Sequence, residues 1–317
     1  MANSPFLNLL TRVLVAAIAI PIILWVTMEG GYLFFALVAL ISGFSLYEFY
    51  TLAERKGAFP LKTLGLLVGF IVNGAFIYER FQVDIFRFFE SRGIHLSMFS
   101  QLQFLLVVQL VFLIIVLVIE LFRLKGSPTL NLATTVLGVF VISLFFGTLI
   151  STRELFPYGF PVHKFFPTSF ADEGQLQTIT RWGGYTVISV FATIWICDTA
   201  AYFVGVSIGR HKLFESVSPK KSWEGAIAGF VFAELTMIAA RALVLDYLSL
   251  GNALVLGAIV GIFGQVGDLV ESRFKRDAGV KDSSAIIPGH GGVFDRFDSL
   301  VFVAPFVYLY IDFIVLS

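Results

Sequence analysis

Near the C-terminal third of this chain, Gln265-Val-Gly-Asp268-Leu-Val-Glu271-Ser272 closes a long apolar stretch. On a helix, Asp268, Glu271 and Ser272 fall at i, i+3 and i+4 and share one face. Downstream comes Pro288-Gly-His290-Gly291-Gly292-Val-Phe-Asp295-Arg296-Phe-Asp298, with two more acids three residues apart. Between Asp268 and Asp298, 11 of 31 residues are charged, whereas the whole chain is only 14% charged. Hard divalent cations prefer carboxylate oxygens, and Mg²⁺ takes only one or two of them together with substrate phosphates. Asp268 and Asp295, on adjacent helices across a charged loop, are the pair such a cation would use. The paired glycines allow close backbone approach, so loop amides could cup an anion. Helix capping would account for Asp298 alone, and a helix-end salt-bridge cluster for Asp268 and Glu271.

A third block, Ser218-Pro-Lys220-Lys221-Ser222-Trp-Glu224-Gly225, sets two lysines and a serine at a helix start. Ammonium groups, a hydroxyl and free amides there suit phosphate, although a basic membrane anchor looks similar. Asp198, in Asp198-Thr-Ala-Ala-Tyr, lies within an apolar run, where an acid marks a polar cavity or pairs with a basic neighbour.

The elements that must carry these residues are membrane helices. The 317 residues are 57% hydrophobic and include 36 phenylalanines, with a mean hydropathy of +0.88. A spanning helix needs about 20 apolar residues. Nine segments qualify, roughly 10–28, 31–53, 61–78, 101–122, 130–150, 185–208, 225–248, 252–270 and 299–316. The expected fold is an all-α polytopic integral membrane protein of about nine transmembrane helices. The first apolar segment reads as a retained helix rather than a cleaved signal, since no small-residue cleavage site follows it. With alternate loops on opposite sides, 15 of the 22 Lys and Arg fall on one side, 6 on the other and Arg241 within a span. The positive-inside rule then places the N-terminus in the cytoplasm, with both charged C-terminal loops on that same side.

Residues 1–150 read as a helical scaffold for dimer and lipid contacts, with Glu48 and Glu120 taken as structural acids near span ends. Residues 79–100 read as a surface-lying amphipathic stretch, and 151–184 as an outer-side interfacial connection rich in aromatics and prolines. Residues 185–317, with cytoplasmic loops 209–224 and 271–298, form the catalytic part. Net charge is zero, and the basic residues cluster in loops rather than covering a face, which excludes nucleic acid as the partner. The single cysteine, Cys197, excludes an intramolecular disulfide and a thiolate metal cluster; it reads as a small packing residue.

The run Ser272-x-Phe-Lys275-Arg276-x4-Lys281-Asp282-x-Ser-x2-Ile-Pro288-x-His290-Gly291-Gly292-Val-x-Asp295-Arg296-Phe-Asp298 resembles the signature of the phosphatidate cytidylyltransferase (CDP-diacylglycerol synthase) family, without departure. The blocks around Asp198, Lys220 and Asp268 are similar to the same family, so the resemblance covers about residues 185–317. It implies an enzyme that joins CTP to phosphatidic acid with Mg²⁺, giving CDP-diacylglycerol and pyrophosphate. It further implies a homodimer in the inner or plasma membrane and a monovalent cation such as K⁺ beside Mg²⁺. Asp268 and Asp295 match the family's metal-holding acids. Lys275 and Arg276 are expected to be catalytic with them, and Lys220, Lys221, Ser222, Lys281, Asp282, His290, Gly291, Gly292, Arg296, Asp298 and Asp198 to bind substrate. Two other readings stand beside this one: a cytidylyltransferase for a different lipid phosphate, and a membrane transporter using its intramembrane acids.

Overall fold

Apolar runs with polar ends become helices wherever the backbone must satisfy its own hydrogen bonds in lipid, and this chain follows that rule almost throughout. The computed structural model describes residues 5–94, 100–166 and 171–317. In order they form α1 (Pro5–Glu29), α2 (Gly31–Arg55), α3 (Lys62–Ala75), α4 (Tyr78–Glu90), α5 (Gln101–Phe122) and α6 (Pro128–Gly138). After a π-helical turn, Val139–Ser143, come α7 (Leu144–Gly159), the short α8 (Val162–Phe165) and α9 (Glu173–Ile208). Strands β1 (Lys212–Phe214) and β2 (Ser218–Ser222) make a small antiparallel hairpin. Helices α10 (Trp223–Leu243), α11 (Leu250–Asp277) and α12 (Phe294–Tyr310) follow, and α12 ends in a second π turn, Ile311–Val315.

Among the described residues, eight helical segments are long and apolar enough to cross a membrane, with α6 and α7 counted as one through the π turn. A ninth arises if α3 and α4, bent by 75° at their junction, are taken as a single broken span. The bend has a cause in composition. Helix α3 is only 14 residues, about 21 Å at the α-helical rise, whereas α4 carries Glu79, Arg80, Asp84, Arg87 and Glu90 and buries no residue. It turns aside as the amphipathic stretch expected over 79–100, of which residues 95–99 lie outside the described set.

The connection read over 151–184 is mostly helix. Helix α7 continues to Gly159 with Pro157 inside it, and α9 starts at Glu173, capped by Asp172 through a reciprocal bond with Gln175. That capping box replaces the missing intrahelical partners of the first turn, so α9 runs 36 residues, well past the span expected from 185. The final helix likewise starts at Phe294, which draws Asp295 and Asp298 into its opening turns.

Small residues let helices α9 to α12 pack tightly. A Cβ on Gly225 would lie 2.6 Å from the Ala201 carbonyl, and one on Gly229 3.0 Å from that of Cys197, so α10 sits directly against α9. On α11, a Cβ on Gly261 would meet Phe230 and Ala233 of α10, and one on Gly267 would lie 2.6 Å from the Asp298 carbonyl of α12. Close helix approach of this kind is what small residues permit in membrane bundles. It brings the next residue, Asp268, to the start of α12.

Polar contacts gather at the two ends of the bundle. At one end Lys56 pairs with Asp277 at 3.3 Å, Arg123 with Glu120 at 2.9 Å, and Arg12 Nε donates to the Gly289 carbonyl at 2.7 Å. At the other, Arg153 is 1% exposed and donates to the carbonyls of Thr27 and Met28 at 2.9 and 2.8 Å. There Arg80 pairs with Glu154 at 3.0 Å, and Trp182 Nε1 donates to Asp246 at 2.5 Å.

Candidate active site at one end of the bundle

The last turns of α11 supply the acids. Asp268, Glu271 and Asp298 bring one carboxylate oxygen each within 4.8 Å of one another. Ser272 Oγ donates to Asp268 Oδ1 at 3.2 Å, and Lys221, leaving β2, meets Asp268 Oδ2 at 2.5 Å. The basic partner that α11 itself does not offer to Asp268 therefore comes from another element. Asp198 on α9 faces Asp268, Lys221 and Arg296 electrostatically, so the intramembrane acid belongs to the same polar field.

Lys275 organises the next layer. Its ammonium lies 2.5 Å from Glu271 Oε2 and 2.8 Å from Asp295 Oδ1, between two buried carboxylates that themselves face one another. Asp295 also accepts from the amides of Ser283, at 2.9 Å, and Gly292, at 2.8 Å, both to Oδ2. The grouping therefore differs from the pair expected from sequence. Asp298 stands with Asp268, while Asp295 is engaged by a lysine and two amides, because α12 starts early enough to put both acids on its first turns.

The residues fit a hard cation. The donor set is entirely carboxylate oxygen, as Mg²⁺ prefers. Glu271 is 1% exposed, and its Oε1 has no hydrogen-bond partner among the described residues. An orphaned buried carboxylate oxygen is costly, and a bound cation could satisfy this one.

The other expected residues are spread around this centre. Ser222 is buried and caps α10, accepting from the Gly225 amide at 3.2 Å. Lys220, Lys281, Asp282 and Arg296 are exposed, with no side-chain hydrogen bond or ion pair among the described residues. Arg276 turns away: Nε reaches the Val217 carbonyl at 3.4 Å and Nη1 the Val280 carbonyl at 3.0 Å, bracing the hairpin against the end of α11. Gly291, at φ 88°, bridges to Ile287, and His290 Nδ1 is buried in that turn with no hydrogen-bond partner among the described residues.

Glu48, read from sequence as a structural acid near a span end, is fully buried and accepts four hydrogen bonds from the signature loop and α12. Its partners lie more than 230 residues away in sequence. The signal available was an acid on the same face as the buried Ser45 and Leu52 of α2.

The sequence profile described as the cytidylyltransferase family matches residues 10–314, nearly the whole chain. The chain belongs to that family. A Synechocystis protein named phosphatidate cytidylyltransferase is 31% identical over 307 residues, covering 95% of each chain. Proteins of the same name from Staphylococcus haemolyticus and Staphylococcus aureus are each 46% identical, over 123 and 125 residues, covering 39% of this chain and 47% of theirs. Family membership thus extends over the N-terminal helices, where the sequence motifs offered only hydrophobic pattern. Chemically, the centre pairs acids able to hold a cation with lysines able to take phosphate.

Proposed function

We propose that this chain transfers the cytidylyl group of CTP to phosphatidic acid, releasing pyrophosphate and forming CDP-diacylglycerol for phospholipid synthesis. The observation that carries the proposal is the meeting of Asp268, Glu271 and Asp298 with Lys221 and Lys275 at one end of a membrane bundle. Those residues sit on motifs of a family whose relatives bear that activity in their names.

The positive residues concentrate at this end, so the positive-inside rule makes it cytoplasmic and the N-terminus with it. The membrane is then the inner or plasma membrane, and CTP arrives from the cytosol while the acyl chains stay in lipid. The working unit is a homodimer, by resemblance to the family.

The reaction is an in-line displacement. An oxygen of the phosphatidic acid phosphate forms a bond to the α-phosphorus of CTP, and the bond to the pyrophosphate oxygen breaks, that oxygen leaving with the electron pair. A phosphate monoester has a second pKa of about 6, so the nucleophile is ionised near neutrality and needs no strong base. The task is to bring anions together and hold them. Lys221 and Lys275 exchange their carboxylate partners for phosphate oxygens, and exposed Lys220, Lys281 and Arg296 guide the two anions inward. The Gly291–Gly292 turn folds back on Asp295 and Glu48, and Ser222, His290, Asp282 and Asp198 line the approach of the phosphates. Arg276 acts by bracing the hairpin that carries Lys220 and Lys221. The residues that would hold Mg²⁺ are Asp268, with Glu271 and Asp298 beside it and Asp295 on the far side of Lys275; K⁺ is the second cation. When bound, Mg²⁺ offsets charge on the triphosphate and the leaving pyrophosphate.

An acceptor panel tests the assignment. Purified protein given CTP labelled at the α-phosphorus should label phosphatidic acid and leave a polyprenyl phosphate unlabelled, and γ-label should appear only in pyrophosphate. Labelling of the polyprenyl acceptor alone would move the protein to a different lipid phosphate. Solute or ion flux without lipid labelling would favour transport.

A further inference from the structure

Helix α12 carries Asp295, Arg296 and Asp298, yet its own N-terminal residues do not cap it: Val293 stands at the N-cap and contributes no side-chain hydrogen bond. A helix start leaves backbone N–H groups without partners, and here those of Val293 and Phe294 are buried. The missing acceptor comes from α2. Glu48 Oε1 accepts from the Val293 amide at 2.9 Å and Ser284 Oγ at 2.6 Å, and Oε2 from the Phe294 amide at 2.8 Å and Ser283 Oγ at 2.7 Å. An anion at a helix N-terminus is also favoured by the helix dipole.

The four bonds tie both ends of the segment between Ser283 and Phe294 to one carboxylate. Ser283 is held twice, by Glu48 through its hydroxyl and by Asp295 through its amide. A Cβ on Gly292 would lie within 2.4 Å of Glu48 Oε2, so the glycine is what lets the segment close over the acid.

We propose that Glu48 is a positioning residue for the reaction: reaching from the N-terminal half, it fixes the 283–294 segment and the first turn of α12, and so sets Asp295 and Asp298 toward Asp268. The catalytic half is then incomplete without α2. As far as catalysis is concerned, this rests on the cytidylyltransferase reading above; the holding of the segment does not. Glutamine is nearly the same size but replaces one acceptor oxygen with a donor, which cannot serve two hydrogen-bond donors and meets at least one backbone N–H donor to donor. Aspartate keeps the charge but is too short to reach both hydroxyls and both amides.

The test uses the full-length protein in detergent, as wild type, Glu48→Gln, Glu48→Asp and, as a control one turn along α2, Thr51→Ala. Three quantities are read: amide hydrogen exchange over 283–294, Mn²⁺ binding by paramagnetic resonance, and turnover of CTP with phosphatidic acid. Glu48→Gln should speed exchange at Val293 and Phe294 and weaken Mn²⁺ binding by about 10-fold or more, the range seen when residues orienting metal ligands are removed. Turnover should fall in proportion, Glu48→Asp should lie between, and Thr51→Ala should match wild type. Unchanged exchange over 283–294, or faster exchange with wild-type Mn²⁺ binding and turnover, would overturn the proposal. If Glu48→Gln does not fold, Ser283→Ala and Ser284→Ala remove single bonds to Glu48 and are read against the same outcomes. A wild type that binds Mn²⁺ but makes no lipid product would defeat the reaction assignment, while exchange and Mn²⁺ binding would still decide the role of Glu48.

Discussion

Lys221 Nζ lies 2.5 Å from Asp268 Oδ2, joining the basic block ahead of α10 to the acidic end of α11 across 47 residues of sequence. The ammonium occupies the side of Asp268 that a cation would otherwise engage. Lys221→Ala should therefore cut turnover at least about 10-fold, the order of one lost charge-assisted contact, while Mn²⁺ binding stays unchanged or tightens. Weakened Mn²⁺ binding in this variant would mean that Lys221 supports the acids rather than the substrate.

Lys275 shares its charge between Glu271 and Asp295, both buried. Removing one partner of a buried ion pair leaves uncompensated charge, at a cost of about 3–5 kcal/mol. Lys275→Met should lower the melting temperature in detergent well below that of Lys220→Met, whose side chain is exposed. Equal melting temperatures would show that the acids do not depend on this lysine.

Asp268 and Asp295 should fail differently. Asp295→Asn replaces an acceptor of two loop amides, so exchange at Ser283 and Gly292 should accelerate along with loss of turnover. Asp268→Asn should abolish Mn²⁺ binding and leave those amides as protected as in wild type. The same exchange pattern in both would merge the two roles.

At the far end of the bundle, Arg153 should matter for stability alone. Its guanidinium satisfies two carbonyls in the last turn of α1, and an unsatisfied buried carbonyl costs about 1–3 kcal/mol. Arg153→Met should lower the melting temperature, with turnover per folded molecule unchanged at temperatures where the variant is intact.

What could be read in advance was local. Asp268, Glu271 and Ser272 share a face because helical spacing demands it, and Lys220–Lys221–Ser222 precede a helix as their types suggest. The membrane bundle followed from apolar length, and within the stretch read over 79–100 a charged helix runs from 78 to 90 with no buried residue. Contacts made over long separations were not legible. Periodicity cannot say which acid of Asp295 and Asp298 will face Asp268, since both follow the same glycine turn and the choice depends on where α12 begins. Arg153, in the stretch read as an outer-side connection, lies inside α7, and its side chain reaches carbonyls about 125 residues away. Arg276 sits in the signature, yet its neighbours are the carbonyls of Val217 and Val280, which motif reading does not reveal.

The central claim is that the acids around Asp268 support cytidylyl transfer to a lipid phosphate at this end of the bundle. The most direct measurement is transfer of α-labelled CTP to dioleoyl phosphatidic acid by purified protein, with Mg²⁺ and K⁺, with EDTA, and with Asp268→Asn. The account predicts labelled CDP-diacylglycerol from wild type, none with EDTA, recovery when Mg²⁺ is restored, and none from Asp268→Asn at any Mg²⁺ concentration. Labelled product from folded Asp268→Asn at the wild-type rate, or from wild type in EDTA, would contradict it.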